Sequence, residues 1–193
     1  MVRLLVMIFL GGLLGACVAT RAPSTASRAS WEQRAGELQK AEGWQLDGRV
    51  AVALGTQGWQ ATINWRQRND LSEAHLAGPF GIGALVLNRT PAGLSLNGAA
   101  PGETVLAQLR ERLGFDMPVD HLRYWLLGVP DPGAPFELVR NDHDRALTLA
   151  QDGWSIAYDR YMTSAGDVLP ALIVATRAGA RVRIVVDRWE WQP

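Results

Sequence analysis

One cysteine, Cys17, stands in a chain of 193 residues, and the three histidines, His75, His121 and His143, lie far apart. No internal disulfide is available. GxSxG, HExxH, CxxC and GxxxxGK are all missing, so neither a nucleophile elbow, a protease zinc site nor a phosphate-cradling loop is announced. The cluster Asn141 to Arg145 offers Asp142, His143 and Asp144, but consecutive residues rarely converge on one metal ion, and a solvated turn is the simpler reading. Gly81-Ile82-Gly83 lacks the third glycine of a dinucleotide loop. Asp47 and Glu73 each fall among wet-face residues, which argues against an acid and base pair. Surplus charge is absent too: Lys plus Arg and Asp plus Glu both number 19, leaving nothing to neutralise nucleic-acid phosphates. The apolar run from Leu4 to Leu14 would span only about 16 Å as a helix, against a bilayer core of about 30 Å. The expectation is therefore no enzyme, no metal, no cofactor, no nucleic-acid partner and no membrane-spanning helix.

What is present begins at that same run. Gly15 and Ala16 follow it, so residues 1–16 read as a signal peptide. Leu-Leu-Gly-Ala-Cys resembles the lipobox of bacterial lipoproteins, which makes Cys17 the expected acylation site and explains a lone thiol in an exported chain. Acyl chains there would hold the protein on a membrane, each buried CH2 contributing about 0.8 kcal/mol. Val18 stands where lipoproteins retained at the inner membrane show Asp; by that resemblance the destination is the outer membrane. Residues 17–30, rich in Ala, Ser, Thr and Pro, read as a lipidated N-terminus and flexible tether. A single domain is expected over 31–193.

Within it, Ser30 reads as the N-cap of a first helix bearing Trp31, Ala35 and Leu38 and ending near Gly43. Trp44, Leu46, Val50, Val52 and Leu54 then share one parity, as do Trp59, Ala61, Ile63 and Trp65, which predicts a hairpin with one wet face. Residues 71–77, 82–89 and 94–97 read as further strands. Val105, Leu106, Leu109 and Leu113 follow helical spacing, and Pro118 opens a second helical stretch aligning Leu122, Trp125 and Leu126. Val-Pro-Asp-Pro-Gly-Ala-Pro reads as a rigid loop, and strand patterns return around 146–150, 154–158, 169–176 and 182–189. Strands, helices, then strands again predict an α+β fold, a curved antiparallel sheet covered on one face by helices. A sheet of about ten strands bends or closes, and bending around the helices would enclose an apolar cavity. The eight tryptophans suit either a cavity lining or an ordinary core.

Gly78-Pro79-Phe80-Gly81 puts a bulky apolar residue in a tight turn. Pro79 fixes its own φ and Gly81 tolerates positive φ, so the turn is stiff. Phe80 either folds back onto the sheet or stands outward, where it could enter a bilayer interface.

The order of Cys17, Trp31, Gly48-Arg49, Trp65, Gly78 to Gly81, LGFDMPVDHLRYWLLGVP at 113–130, GWSIAYDRY at 153–161 and Trp189 resembles the LolB receptors of the LolA/LolB lipoprotein-localisation family. The family typically has leucine where this chain has Phe80. The resemblance implies a half-open antiparallel barrel with helices forming a lid over an apolar cavity. It further implies a monomeric receptor that takes lipoproteins from the periplasmic carrier LolA and inserts them into the inner leaflet of the outer membrane. On this reading Gly78, Pro79, Phe80 and Gly81 form the loop that meets outer-membrane phospholipid. Trp59, Ile63, Trp65, Leu87, Leu106, Leu109, Leu122 and Trp125 would line the cavity for the acyl chains of the cargo.

Overall fold

The computed structural model describes residues 25–81 and 83–191; the side chains of residues 25–29, Phe80 and Glu103 fall outside that description. Cys17, the expected signal peptide and most of the expected tether lie before the described residues.

Period-two alternation becomes a long hairpin, β1 (Gly43–Leu54) and β2 (Gln57–Arg68), in which alternate residues from Trp44 to Val52 are buried. The remaining strands are β3 (Leu71–Ala77), β4 (Leu85–Thr90), β5 (Gly93–Leu96), β6 (Phe136–Arg140), β7 (Ala146–Gln151), β8 (Trp154–Ser164), β9 (Asp167–Arg177) and β10 (Ala180–Trp191). All join one sheet in the order β5-β4-β3-β2-β1-β10-β9-β8-β7-β6, every pairing antiparallel. The first and last long strands meet at its centre, and β5 and β6 remain as open edges: a half-open barrel.

The strand β6 occupies what the sequence presents as irregular chain after the proline-rich loop. Its Phe136 and Val139, on opposite faces, are 47% and 56% exposed, and Leu138 alone of its apolar residues packs against the main core, so apolar alternation does not mark it.

A bulge between Asp47 and Gly48 lets β1 follow the bend of β10. Gly48 is required there because a Cβ would lie 2.3 Å from the Val185 carbonyl oxygen.

Three helices, α1 (Thr25–Gln39), α2 (Glu103–Leu113) and α3 (Val119–Trp125), cover the inner face. The first begins before Ser30, which lies inside it and donates from Oγ to Asp144 Oδ2 (2.7 Å) instead of capping the helix. Along α1, Trp31, Ala35 and Leu38 are buried, Arg34 donates to the Val168 carbonyl (2.6 Å), and Gln39 to that of Pro130 (2.9 Å). This helix therefore closes the end of the barrel that holds the 141–145 and 165–166 turns. The second helix packs Val105, Leu109 and Leu113 with Leu85, Leu94 and Leu96 of β4 and β5 as a small core of its own.

The main core is unusually aromatic. Trp44 stacks on Trp65 (centroids 6.2 Å, planes 10° apart) and meets Trp189 at 5.4 Å, while the Trp189 Nε1 donates to the Pro170 carbonyl (2.9 Å). Such rings bury large area while keeping one polar atom that needs a partner.

Candidate functional site

The concave side of the sheet faces α3 and the segment after it, and how tightly these are held decides what the barrel can contain. Gln151 at the end of β7 is the principal fastening. It is buried, its Oε1 accepts from Trp125 Nε1 (2.8 Å) and the Asp131 N–H (3.0 Å), and its Nε2 donates to the carbonyls of Asp131 (2.9 Å) and Ala134 (3.0 Å). A second tie is the Tyr158 hydroxyl, which donates to the Trp125 carbonyl (3.0 Å). Burial pushes the Tyr158 hydroxyl pKa up, with Tyr161 adding to the shift, so it remains a donor. His121 stacks on Trp125 at 5.2 Å and bonds through Nδ1 to Asp131 Oδ2 (2.7 Å).

Between this helical cover and the sheet lies a cavity of about 20 Å3, lined by residues that include Met117, Leu122, Trp125, Leu126, Trp154 and Ile156. It has room for about one water, and an acyl chain does not fit. The expected hollow is thus closed by its lid: Trp125 and Leu126 fill it from above and Trp154 from the side, each almost fully buried. One polar atom stands out in this apolar wall. The buried Trp154 Nε1 donates to no acceptor among the described residues.

The residues expected to line the cavity occupy three places. Leu122 and Trp125 line the residual space. Ile63 and Trp65 lie in the main core, and Leu109 in the small core beneath α2. Trp59 and Leu87 are partly buried and touch both cores, so they form the seam between them. Leu106 is 52% exposed and borders a separate surface cleft of about 440 Å3 between the β4–β5 turn and the start of α3. Leu126 and Trp154 were legible as a helix position and a strand position though not as lining, and Gln151 was not legible at all, because nothing in the sequence separates a buried glutamine at a strand end from an exposed one.

The turn at Pro79–Gly81 is one turn of 3-10 helix, closed by the Gly81 N–H to the Gly78 carbonyl (2.9 Å), with Gly81 at φ 76°. It sits where β3 and β4 stop short: β2 pairs with β3 only from Thr62 onward, so Gln57 to Ala61 have no β3 partner. The loop therefore lies toward the end opposite α1.

Among the described residues no group of three His, Cys, Asp or Glu side chains converges to hold a metal. Asp144, from the Asn141 to Arg145 turn, is engaged with Ser30 and Arg140. Asp47 pairs with Arg188, and Glu73 with His75. No helix among the described residues is long and apolar enough to cross a membrane.

Comparison with known proteins adds the ancestry. The outer-membrane lipoprotein LolB of Nitrosococcus oceani is 36% identical, with 92% of each chain covered. That of Ectopseudomonas mendocina is 30% identical, with 100% of this chain and 98% of the other covered. A solved LolA superfamily protein from Nitrosomonas europaea shares the fold with a TM-score of 0.59 at 11% identity, over 86% of this chain and 93% of that one. A family model described as outer membrane lipoprotein LolB matches residues 42–189, from the first strand nearly to the end of the last. With its fold and most of its length so matched, the chain belongs to the outer-membrane lipoprotein LolB family.

Proposed function

We propose that this protein is an outer-membrane lipoprotein receptor that accepts lipoproteins from the periplasmic carrier LolA and inserts them into the inner leaflet of the outer membrane. The observation that carries the reading is the family match over 42–189, joined to a curved sheet whose apolar inner face is covered by helices on a small set of polar ties.

A triacylated cargo exposes on the order of forty methylenes, so crossing water unaided costs tens of kcal/mol at about 0.8 kcal/mol each. Transfer needs an apolar path throughout. In this protein the path opens when α3 and the segment to Ala134 lift from Gln151 and Tyr158, exposing Trp125, Leu122, Ile63 and Trp65 to the arriving chains; Trp59 and Leu87 extend the surface toward Leu109 and Leu106. Direction follows from free energy, since the bilayer holds the chains better than either protein does. Exchange by binding makes and breaks no covalent bond, so the reading assigns no catalytic residue, cofactor or metal.

Residues 1–16 act as the export signal, Cys17 carries the acyl anchor, residues up to 30 form the tether, and the domain faces the periplasm as a monomer. The turn at Gly78, Pro79, Phe80 and Gly81 meets the phospholipid of the outer membrane. The test is incubation of the unacylated chain with lipoprotein-loaded LolA, followed by separation. Cargo should elute with this chain; cargo that stays with the carrier overturns the receptor reading.

A further inference from the structure

The outer face of the sheet carries a cleft that the route for acyl chains does not use. Its volume is about 560 Å3, and it is bordered by Arg49, Ala51, Thr62, Pro79, Gly81 and Arg183. Strand register explains its shape. Arg49 stands opposite Val185 on β10 and Thr62 on β2, and Ala51 opposite Arg183. Arg49 and Arg183 are therefore diagonal neighbours on one face, within about 7–8 Å at the backbone. The alanine between them leaves the floor open.

Charge makes the cleft selective. Arg49 is held by two hydrogen bonds to Asp187, at 2.7 and 3.2 Å, which orient its guanidinium and offset its charge. Arg183 is exposed and, among the described residues, forms no ion pair or side-chain hydrogen bond; the same holds for Arg181 two residues away on the same face. On β3, Glu73 is already paired with Arg66 and His75. Asp187 is thus the carboxylate set against Arg49, Arg183 and Arg181, and the rim is left positive.

The geometry points to a binding site for the phosphate of a membrane phospholipid headgroup, held by Arg183 with Arg49 beside the Pro79 turn. A guanidinium fork matches two phosphate oxygens, and the turn forms the wall of the same cleft. A headgroup seated there would lie level with the loop when the loop reaches the bilayer. This inference rests on the proposed role of that loop.

The test uses the mature chain carrying Cys17→Ala, so that no acyl anchor contributes, and vesicle flotation. Vesicles of phosphatidylethanolamine and phosphatidylglycerol are compared with vesicles of digalactosyldiacylglycerol, which form a bilayer without phosphate. The parent should bind the phospholipid vesicles more strongly. Arg183→Gln should weaken that binding about fivefold and leave binding to the galactolipid unchanged, while Arg183→Lys, which keeps the charge but loses the fork, should restore only part of the affinity. Acceptance of cargo from loaded LolA without vesicles is measured in parallel and should not change, which separates failure of the headgroup site from failure of the receptor reading. Unchanged phospholipid binding by Arg183→Gln overturns the site, as does an equal loss on galactolipid. A loss confined to cargo acceptance would assign the cleft to the carrier instead.

Discussion

Asp47 sits on the wet face of β1, where burial pushes its carboxyl pKa up. Hydrogen bonds from Arg188 and Asn64, with the charge of Arg188, outweigh that and hold it below the ordinary carboxylate value. A depressed folded pKa contributes stability above the unfolded value near 3.8, and that contribution is lost as pH falls through the folded pKa. Asp47→Asn should therefore be less stable than the parent at pH 7, and the gap should narrow below about pH 4; urea midpoints across pH 3 to 7 check this. A gap that stays constant would show that the carboxylate charge is immaterial. In the proposed mechanism the bilayer contact turns on Phe80. Burying most of such a side chain is worth about 1.5–3 kcal/mol, enough to orient a tethered domain though not to anchor it. Phe80→Glu should leave folding and cargo uptake from LolA intact while reducing delivery into liposomes at least about tenfold, the factor for each 1.4 kcal/mol. Equal delivery would remove the loop from the mechanism.

Among the elements, the hairpin of β1 and β2 was the most legible in the sequence, because a sheet with one wet face writes its burial directly into alternation. The short edge strand β6 wrote nothing, since Phe136 and Val139 are both exposed. The early part of α1, Thr25 to Ser30, has no apolar period for a reader to find. Helix α2 was legible as a helix, yet its inward line runs through Val105, Leu109 and Leu113 and leaves Leu106 outside. The ties on α3 were invisible for another reason: they depend on where the end of β7 falls in the folded barrel. Gln151→Leu tests them. It keeps the bulk but strips partners from Trp125 Nε1, the Asp131 N–H and two carbonyls, and should cost about 3 kcal/mol. Hydrogen exchange should then quicken in 122–134 more than in β1. Uniform quickening would mean that Gln151 supports the whole barrel and not its cover. Gly48→Ala belongs to the same scale: the Val185 carbonyl stands 2.3 Å from the new methyl, so thermal unfolding should show a loss of about 2 kcal/mol or more.

For the molecule as a whole, the closed interior was the property least available from sequence, because volume depends on how every side chain packs at once. Its near-complete filling makes the resting state a competitor of the cargo: what the lid gains by closing, an acyl chain must displace. Leu126→Ala should lower stability by about 2–5 kcal/mol and, by enlarging the space beneath the lid, raise affinity for a fatty-acid fluorophore. Lower affinity together with lower stability would mean that Leu126 serves as a binding surface more than as a plug.

The placement of α1 has a consequence for posture. Its start lies by the 141–145 turn, through Ser30 and Asp144, while Pro79 lies toward the other end of strands that, at 12 residues, are about 40 Å long. Residues 17–24 stretch at most about 28 Å. If, as proposed, Cys17 is acylated and the Pro79 turn meets the same leaflet, a body fastened at one pole and dipping a probe near the other has to recline, presenting its flank to the lipid instead of standing upright.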